Sequence, residues 1–244
     1  MSPAAPPLSV RATTRRLLSV LTPGLLFIGG LTACSDDPDP STLPDGATLV
    51  SEAAVAMADL ETLHMEVELD PPIGDVPLAR ADIDLTAKGE AQGEVQIEMG
   101  GQLVGVELKV IEDGTSFLKF PGLGWTESDL LAEVYDVSSI LDPDRGIAKL
   151  LSTATAARTE GSERAGGADC WKVAVTLDAE VVERLVPAEL PDEGLTGTIW
   201  VNKTDKRLMK AIIMAPATGG SSGSEITFTI TAFNEPVTVS DPTG

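Results

Sequence analysis

The sequence predicts an α+β protein built on one antiparallel sheet with a solvated face. Three observations predict it. Apolar residues recur at every second position through successive segments, a glycine pair sits between two of those segments, and a few stretches replace the alternation with helical spacing. Structure is expected from about Thr48. Leu49, Ala53, Val55, Ala56, Met57 and Leu60 are compatible with a helix, and Asp45 and Thr48 are both candidate N-caps. Met65, Val67 and Leu69 then alternate with His64, Glu66 and Glu68. Ala81, Ile83, Leu85 and Ala87 alternate with Asp82, Asp84, Thr86 and Lys88. Val95, Ile97 and Met99 alternate with Glu94, Gln96 and Glu98, and Val104, Val106, Leu108 and Val110 follow the same rule. One apolar and one charged face per strand is what a half-solvated antiparallel sheet requires. Gly100-Gly101 reads as a tight hairpin turn.

The middle of the chain differs. Trp125 to Ala157 lacks alternation, and Gly146 to Leu151 has helical spacing after Asp142-Pro143-Asp144, an N-cap followed by a first-turn proline. Strands resume with Trp171, Val173, Val175 and Leu177. A short helix follows with Val181, Val182, Leu185 and Val186, ended by Pro187. Thr196–Asn202, Leu208–Met214 and Ser224–Phe233 complete the set, with Gly219–Gly223 as the last loop. The total is roughly eight to ten strands and three or four helices in one domain. Alternation alone is satisfied by a solidly packed core as well as by an apolar cavity between sheet and helices.

The N-terminus reads as an export signal. Arg11, Arg15 and Arg16 precede an apolar stretch from Leu17 to Gly30, which ends at small residues before Cys34. A membrane span needs about 20 apolar residues, and Pro23, Gly24, Gly29 and Gly30 interrupt this one. Leu31-Thr32-Ala33-Cys34 resembles a bacterial lipobox. That resemblance implies cleavage before Cys34, diacylglycerol on its thiol, and a lipid anchor on the outer face of a membrane. Residues 1–33 are then a signal peptide, 34–47 an acylated cysteine with an acidic, proline-rich tether, and 48–244 the folded domain. Asp36, Asp37 and Asp39 lack the spacing of a calcium loop. With Cys34 acylated, Cys170 has no disulfide partner and is expected as a small core residue. Past the signal, 14 Lys and Arg face 38 acids, a net charge of −24. Such a surface opposes nucleic-acid binding and electrostatic docking on anionic lipid.

Tyr135-Asp136-Val137-Ser138-Ser139-Ile140-Leu141-Asp142-Pro143-Asp144-Arg145-Gly146-Ile147-Ala148-Lys149-Leu150-Leu151 is similar to a signature of the LppX/LprA/LprF/LprG group of mycobacterial cell-envelope lipoproteins. Leu43-Pro44-Asp45, Ser116-Phe117-Leu118, Thr198-Ile199-Trp200-Val201 and Pro236-Val237-Thr238-Val239 extend the likeness in order along the chain. Val137 stands where the family usually has proline, and Cys170 is not a family feature. The resemblance implies a U-shaped half-barrel, a curved antiparallel sheet with helices on its concave side enclosing an apolar cavity. It also implies a carrier of acylated lipids or glycolipids across the cell envelope, working alongside a membrane transporter. The alternation nominates Met65, Val67, Ile83, Leu85, Val95, Ile97, Met99, Val104, Val106, Leu108, Ile226, Phe228 and Ile230 as the lining, although ordinary core packing would nominate the same residues.

Catalytic readings are weaker. Gly219-Gly220-Ser221-Ser222-Gly223 matches the letters of a nucleophile elbow, but a strand follows it and His64 lies far upstream. A single histidine without paired ligand spacing does not announce a metal centre. No phosphate loop or dinucleotide fingerprint is present. The expectation is a non-enzyme that needs no cofactor. The alternative is a surface scaffold lipoprotein with a solid core and an acidic docking face.

Overall fold

The computed structural model describes residues 42–73, 78–128, 136–186, 190, 194–217 and 223–244. Cys34, the three tether aspartates, Tyr135, Pro187 and Gly219–Ser222 lie outside the described residues. Eleven strands form one open, curved antiparallel sheet: β1 Thr62–Asp70, β2 Leu78–Thr86, β3 Ala91–Met99, β4 Gln102–Val110, β5 Ser116–Lys119, β6 Thr126–Glu127, β7 Thr155–Ala165, β8 Ala168–Leu177, β9 Leu195–Asn202, β10 Leu208–Ala215 and β11 Ser224–Phe233. Their order is β6-β5-β4-β3-β2-β1-β11-β10-β9-β8-β7. Two meanders are therefore joined where the first and last strands pair, with Val67 opposite Phe228 and Leu69 opposite Ile226.

Eight of these strands coincide with segments that the sequence marks out as strands. The three it does not reveal are β5, β6 and β7, which lie towards or at the two edges of the sheet. A strand that buries little has no need of a period-two apolar pattern, and Thr155–Ala165 is largely exposed. The turn at Gly100-Gly101 is as expected. Both residues have positive φ (62° and 81°), which a two-residue hairpin of this type demands and a side chain resists.

Helix α1, Gly46–Ala58, starts two residues before the expected Thr48. Asp45 is its cap, and its Oδ1 accepts both the backbone N–H and the hydroxyl of Thr48, each at 2.8 Å. Those bonds, the backbone one foremost, hold its carboxyl below the usual carboxylate range. Leu49, Val50, Ala53, Ala54 and Met57 are buried, whereas Val55 points to solvent. Helix α2 is Ile147–Thr153. The predicted Asp142 cap is corrected, because Gly146 occupies that position. Asp142 instead closes the preceding turn, accepting from Asp144 N–H at 2.8 Å and Arg145 Nε at 2.9 Å. Helix α3, Ala179–Leu185, is capped by Asp178 and buries Val181, Val182 and Leu185. α1 and α2 pack on each other and over β7, β8 and β9, and α3 packs on α2. They share a single apolar cluster with the inner faces of β1, β2 and β11.

Cys170 is buried, but on the opposite face. It packs with Trp200 and Met209 in a second, small cluster. Burial pushes its thiol above the ordinary value. The C-terminal tail also lies on this outer face. Asn234 Oδ1 accepts from Glu61 N–H at 2.9 Å, Thr62 Oγ1 donates to the Glu235 carbonyl at 2.6 Å, and Lys109 Nζ donates to the Ser240 carbonyl at 3.2 Å.

Candidate ligand site on the inner face of the sheet

The inner face carries all thirteen nominated residues, because each occupies the register position its alternation requires. Val67 pairs with Ala81, Met65 with Ile83, Val95 with Val106 and Ile97 with Val104. Nine of them are buried: Met65, Val67, Ile83, Leu85, Val106, Leu108, Ile226, Phe228 and Ile230. Val95, Ile97 and Val104 are half-buried. Met99 is 52% exposed at the hairpin tip.

Burial falls in one direction along the sheet. On β4 it declines from Val110, Leu108 and Val106 to half-buried Val104 and exposed Gln102. On β3 it declines from Ala91 through Val95 and Ile97 to Met99. The antiparallel register places Met99, Gln102, Asp70, Glu225, Ala215 and Leu195 at this same end. Among the described residues, the apolar interior reaches the surface here. Half-buried Leu78 adds to it, and Leu103 and Met214 are large exposed side chains at the same end, at 60% and 48%.

The opposite end is plugged. A 3-10 turn, Val137–Ser139, leads through buried Ile140 and Leu141 into α2. Ser138 abuts Gly89 in the β2–β3 turn so closely that a Cβ on that glycine would lie 3.0 Å from the Ser138 Cβ. Ser139 Oγ donates to the Asp136 carbonyl at 2.7 Å and to the Arg184 carbonyl at 3.1 Å, tying the plug to α3. Arg145 pairs with Asp136 and Asp142 on its rim. The Asp144 N–H, and after it Arg145, keeps the Asp142 carboxyl below its ordinary value.

A cleft of about 620 Å³ opens among the strand ends at the uncovered side, lined by Asp70, Leu195, Thr196, Met214, Ala215 and Glu225 among others. That volume falls in the range of small-molecule sites. The cleft residues were not nominated from the sequence, because they come from strands that only the fold brings together. Their signal was indirect, since they flank proline- and glycine-rich loops. Among the described residues no helix is long and apolar enough to cross a membrane.

These features define a class: proteins of one curved antiparallel sheet, with helices on one face and, among the described residues, an apolar interior that meets solvent at one end. Within it, the chain belongs to the LppX_LprAFG lipoprotein family, whose model matches residues 45–239. It is 28% identical over 235 residues to the lipoarabinomannan carrier protein LprG of Mycolicibacterium smegmatis, covering 95% of this chain and 97% of that relative. LprG of Mycobacterium leprae is 26% identical over 232 residues, 93% of this chain and 96% of its own. The crystal structure of LprF from Mycobacterium bovis shares the fold at a TM-score of 0.69 and 22% identity, covering 84% of this chain and 99% of that one. Mycobacterium tuberculosis LppX does so at 0.59 and 22%, covering 83% and 100%.

Proposed function

We propose that this protein is a membrane-anchored extracytoplasmic lipid carrier. It takes the acyl chains of lipids or glycolipids against the inner face of its sheet and moves them across the cell envelope. The observation that carries the reading is the gradient of burial along β3 and β4, which among the described residues leaves Val95, Ile97, Met99 and Val104 as an incompletely covered apolar trough at the end away from Ile140 and Leu141. Covering apolar surface with acyl chains is favourable by about 25 cal/mol per Å², so such a trough favours acyl chains while a sugar or phosphate head group stays in water. The names of the relatives, lipoarabinomannan carrier proteins, support the same cargo class. Acylated Cys34 would hold the protein on the outer face of the plasma membrane, where a membrane transporter could hand cargo to it. The reading is non-catalytic: the chain has one histidine, and its many carboxylates form no motif that announces a hydrolase.

The test is to express residues 35–244 in an actinobacterial host, purify the soluble protein and extract it for lipid mass spectrometry. Stoichiometric acylated lipid is the expected result. A second reading, a scaffold lipoprotein with a solid core, is favoured by the nine nominated residues that are already fully packed. A lipid-free protein that takes up none from vesicles would select it.

A further inference from the structure

We propose that the outer face of the sheet binds a divalent transition-metal ion, of which Zn²⁺ is the reference, through His64, Glu66 and Asp82, with Asp84 orienting the histidine. This site lies on the face opposite the apolar trough and does not depend on the carrier reading. His64 and Glu66 are consecutive outward residues of β1, and Asp84 and Asp82 stand directly opposite them on β2. One ligand atom from each of His64, Glu66 and Asp82 lies within 4.8 Å of the others. Around them every side chain is held by a neighbour. Gln92 Nε2 donates to Asp84 Oδ2 at 3.4 Å, Asp84 Oδ1 lies 2.8 Å from His64 Nδ1, and Arg80 donates to Glu66 Oε2 at 2.5 Å. A carboxylate on Nδ1 is how proteins orient a metal-binding imidazole.

The imidazole separates this group from an ordinary acidic surface. His64 Nδ1 lies 2.8 Å from Asp84 Oδ1 and Nε2 lies 3.3 Å from Asp82 Oδ1, so a metal that takes Nε2 would leave Nδ1–H to Asp84. An ion between Nε2 and Asp82 Oδ1 would be coordinated by both, and Glu66 would supply the third donor. The register makes a second demand for positive charge. Glu66, Asp82, Glu94 and Glu107 form one row across β1 to β4, and like charges directly opposite each other are unfavourable. Arg80 answers Glu66, and Lys119 answers Glu107 at 2.7 Å. Asp82 faces His64, and the ion would supply positive charge between the two. One imidazole nitrogen and two carboxylate oxygens, with water completing the shell, suit a borderline ion such as Zn²⁺. The site adjoins a cleft formed by His64, Asp84 and Gln92 under tail residues Glu235–Thr238. Its role is structural, clamping the outer face of β1 and β2 beside the tail.

The experiment is calorimetric titration of the detergent-solubilised, tag-free full chain, chelated and then given Zn²⁺. The chain has one histidine, so two-dimensional ¹H–¹⁵N spectra of its imidazole report on His64 alone. Expected are one-to-one binding and a shift of Nε2 but not of the protonated Nδ1. Asp84→Asn should weaken affinity by about 10-fold or more, with a larger loss for His64→Gln and Asp82→Asn, while Glu94→Gln changes it little. Circular dichroism of each variant separates lost binding from lost folding. The proposal is overturned by no binding at millimolar Zn²⁺, by binding that survives His64→Gln in a folded protein, or by an imidazolium bridging both aspartates unchanged with and without the ion.

Discussion

The two halves of the inner face are made of the same kind of strand and end up in different states. On the β7–β9 side, Val173, Val175, Ile199 and Val201 alternate inwards and are buried beneath α1 and α2. On the β3–β4 side, Val95, Ile97, Met99 and Val104 alternate inwards just as regularly, yet remain half-buried or exposed at one end. Alternation decides which face of a strand is apolar. What covers that face is a separate matter, set by where the helices come to rest. A sheet with more apolar area than its helices can cover has somewhere to put an apolar ligand.

The sharpest way to break this comparison is to make one substitution in each half. Ile199 is 1% exposed under the helices, so Ile199→Ala should cost about 2–5 kcal/mol in urea unfolding. Ile97→Ala, in the trough, should cost only about 1 kcal/mol. Equal losses would mean that the trough is as tightly packed as the covered half. The next contrast adds volume. Val173 is 0% exposed, and Val173→Trp should overpack the core and destabilise it by about 1–3 kcal/mol or more. Val95→Trp should leave circular dichroism unchanged while reducing lipid recovered on extraction. Wild-type lipid recovery from a folded Val95→Trp protein would remove the trough from the account.

Smaller effects sharpen the picture at the two ends. Met99→Ser and Leu103→Ser at the hairpin tip should slow lipid uptake from vesicles without shifting the unfolding midpoint, as fluorescence uptake assays and melting curves would show. At the plugged end, Asp142 has a folded-state pKa below its unfolded value near 4. Its contribution is therefore fully present above about pH 4 and lost as pH falls through the lower folded value. Asp142→Asn should lower Tm slightly at pH 7, with the gap to wild type closing in strong acid. A gap that is constant with pH would mean that the carboxylate charge does nothing for the plug.

Much of this organisation was legible beforehand. The inward sides of β1 to β4, β8 and β11 could be read because a half-buried strand must repeat every two residues. The Gly100-Gly101 turn was legible because few other residues tolerate that backbone. The edge strand Thr155–Ala165 was not legible, since it carries no apolar stripe. Asp142 illustrates a different failure. Its sequence context fits a helix cap, but Arg145 and Asp144 N–H draw it into a turn and Gly146 takes the cap. Cys170 was expected in the core, and it is buried, yet its parity on β8 places it on the outer face with Trp200.

By itself, the sequence determined the antiparallel α+β architecture, the apolar and charged faces of its strands, and the helices that carry Leu49–Met57 and Val181–Leu185. All of these follow from local periodicity and capping, which act between residues a few positions apart. Only the tertiary structure decided that the first and last strands meet, that the helices settle over β7–β9, and that the apolar interior surfaces beside Met99. The same holds for the meeting of His64 and Glu66 with Asp82 and Asp84. Those outcomes rest on pairings between segments far apart in the chain, and the periodicity of a strand does not specify its neighbour.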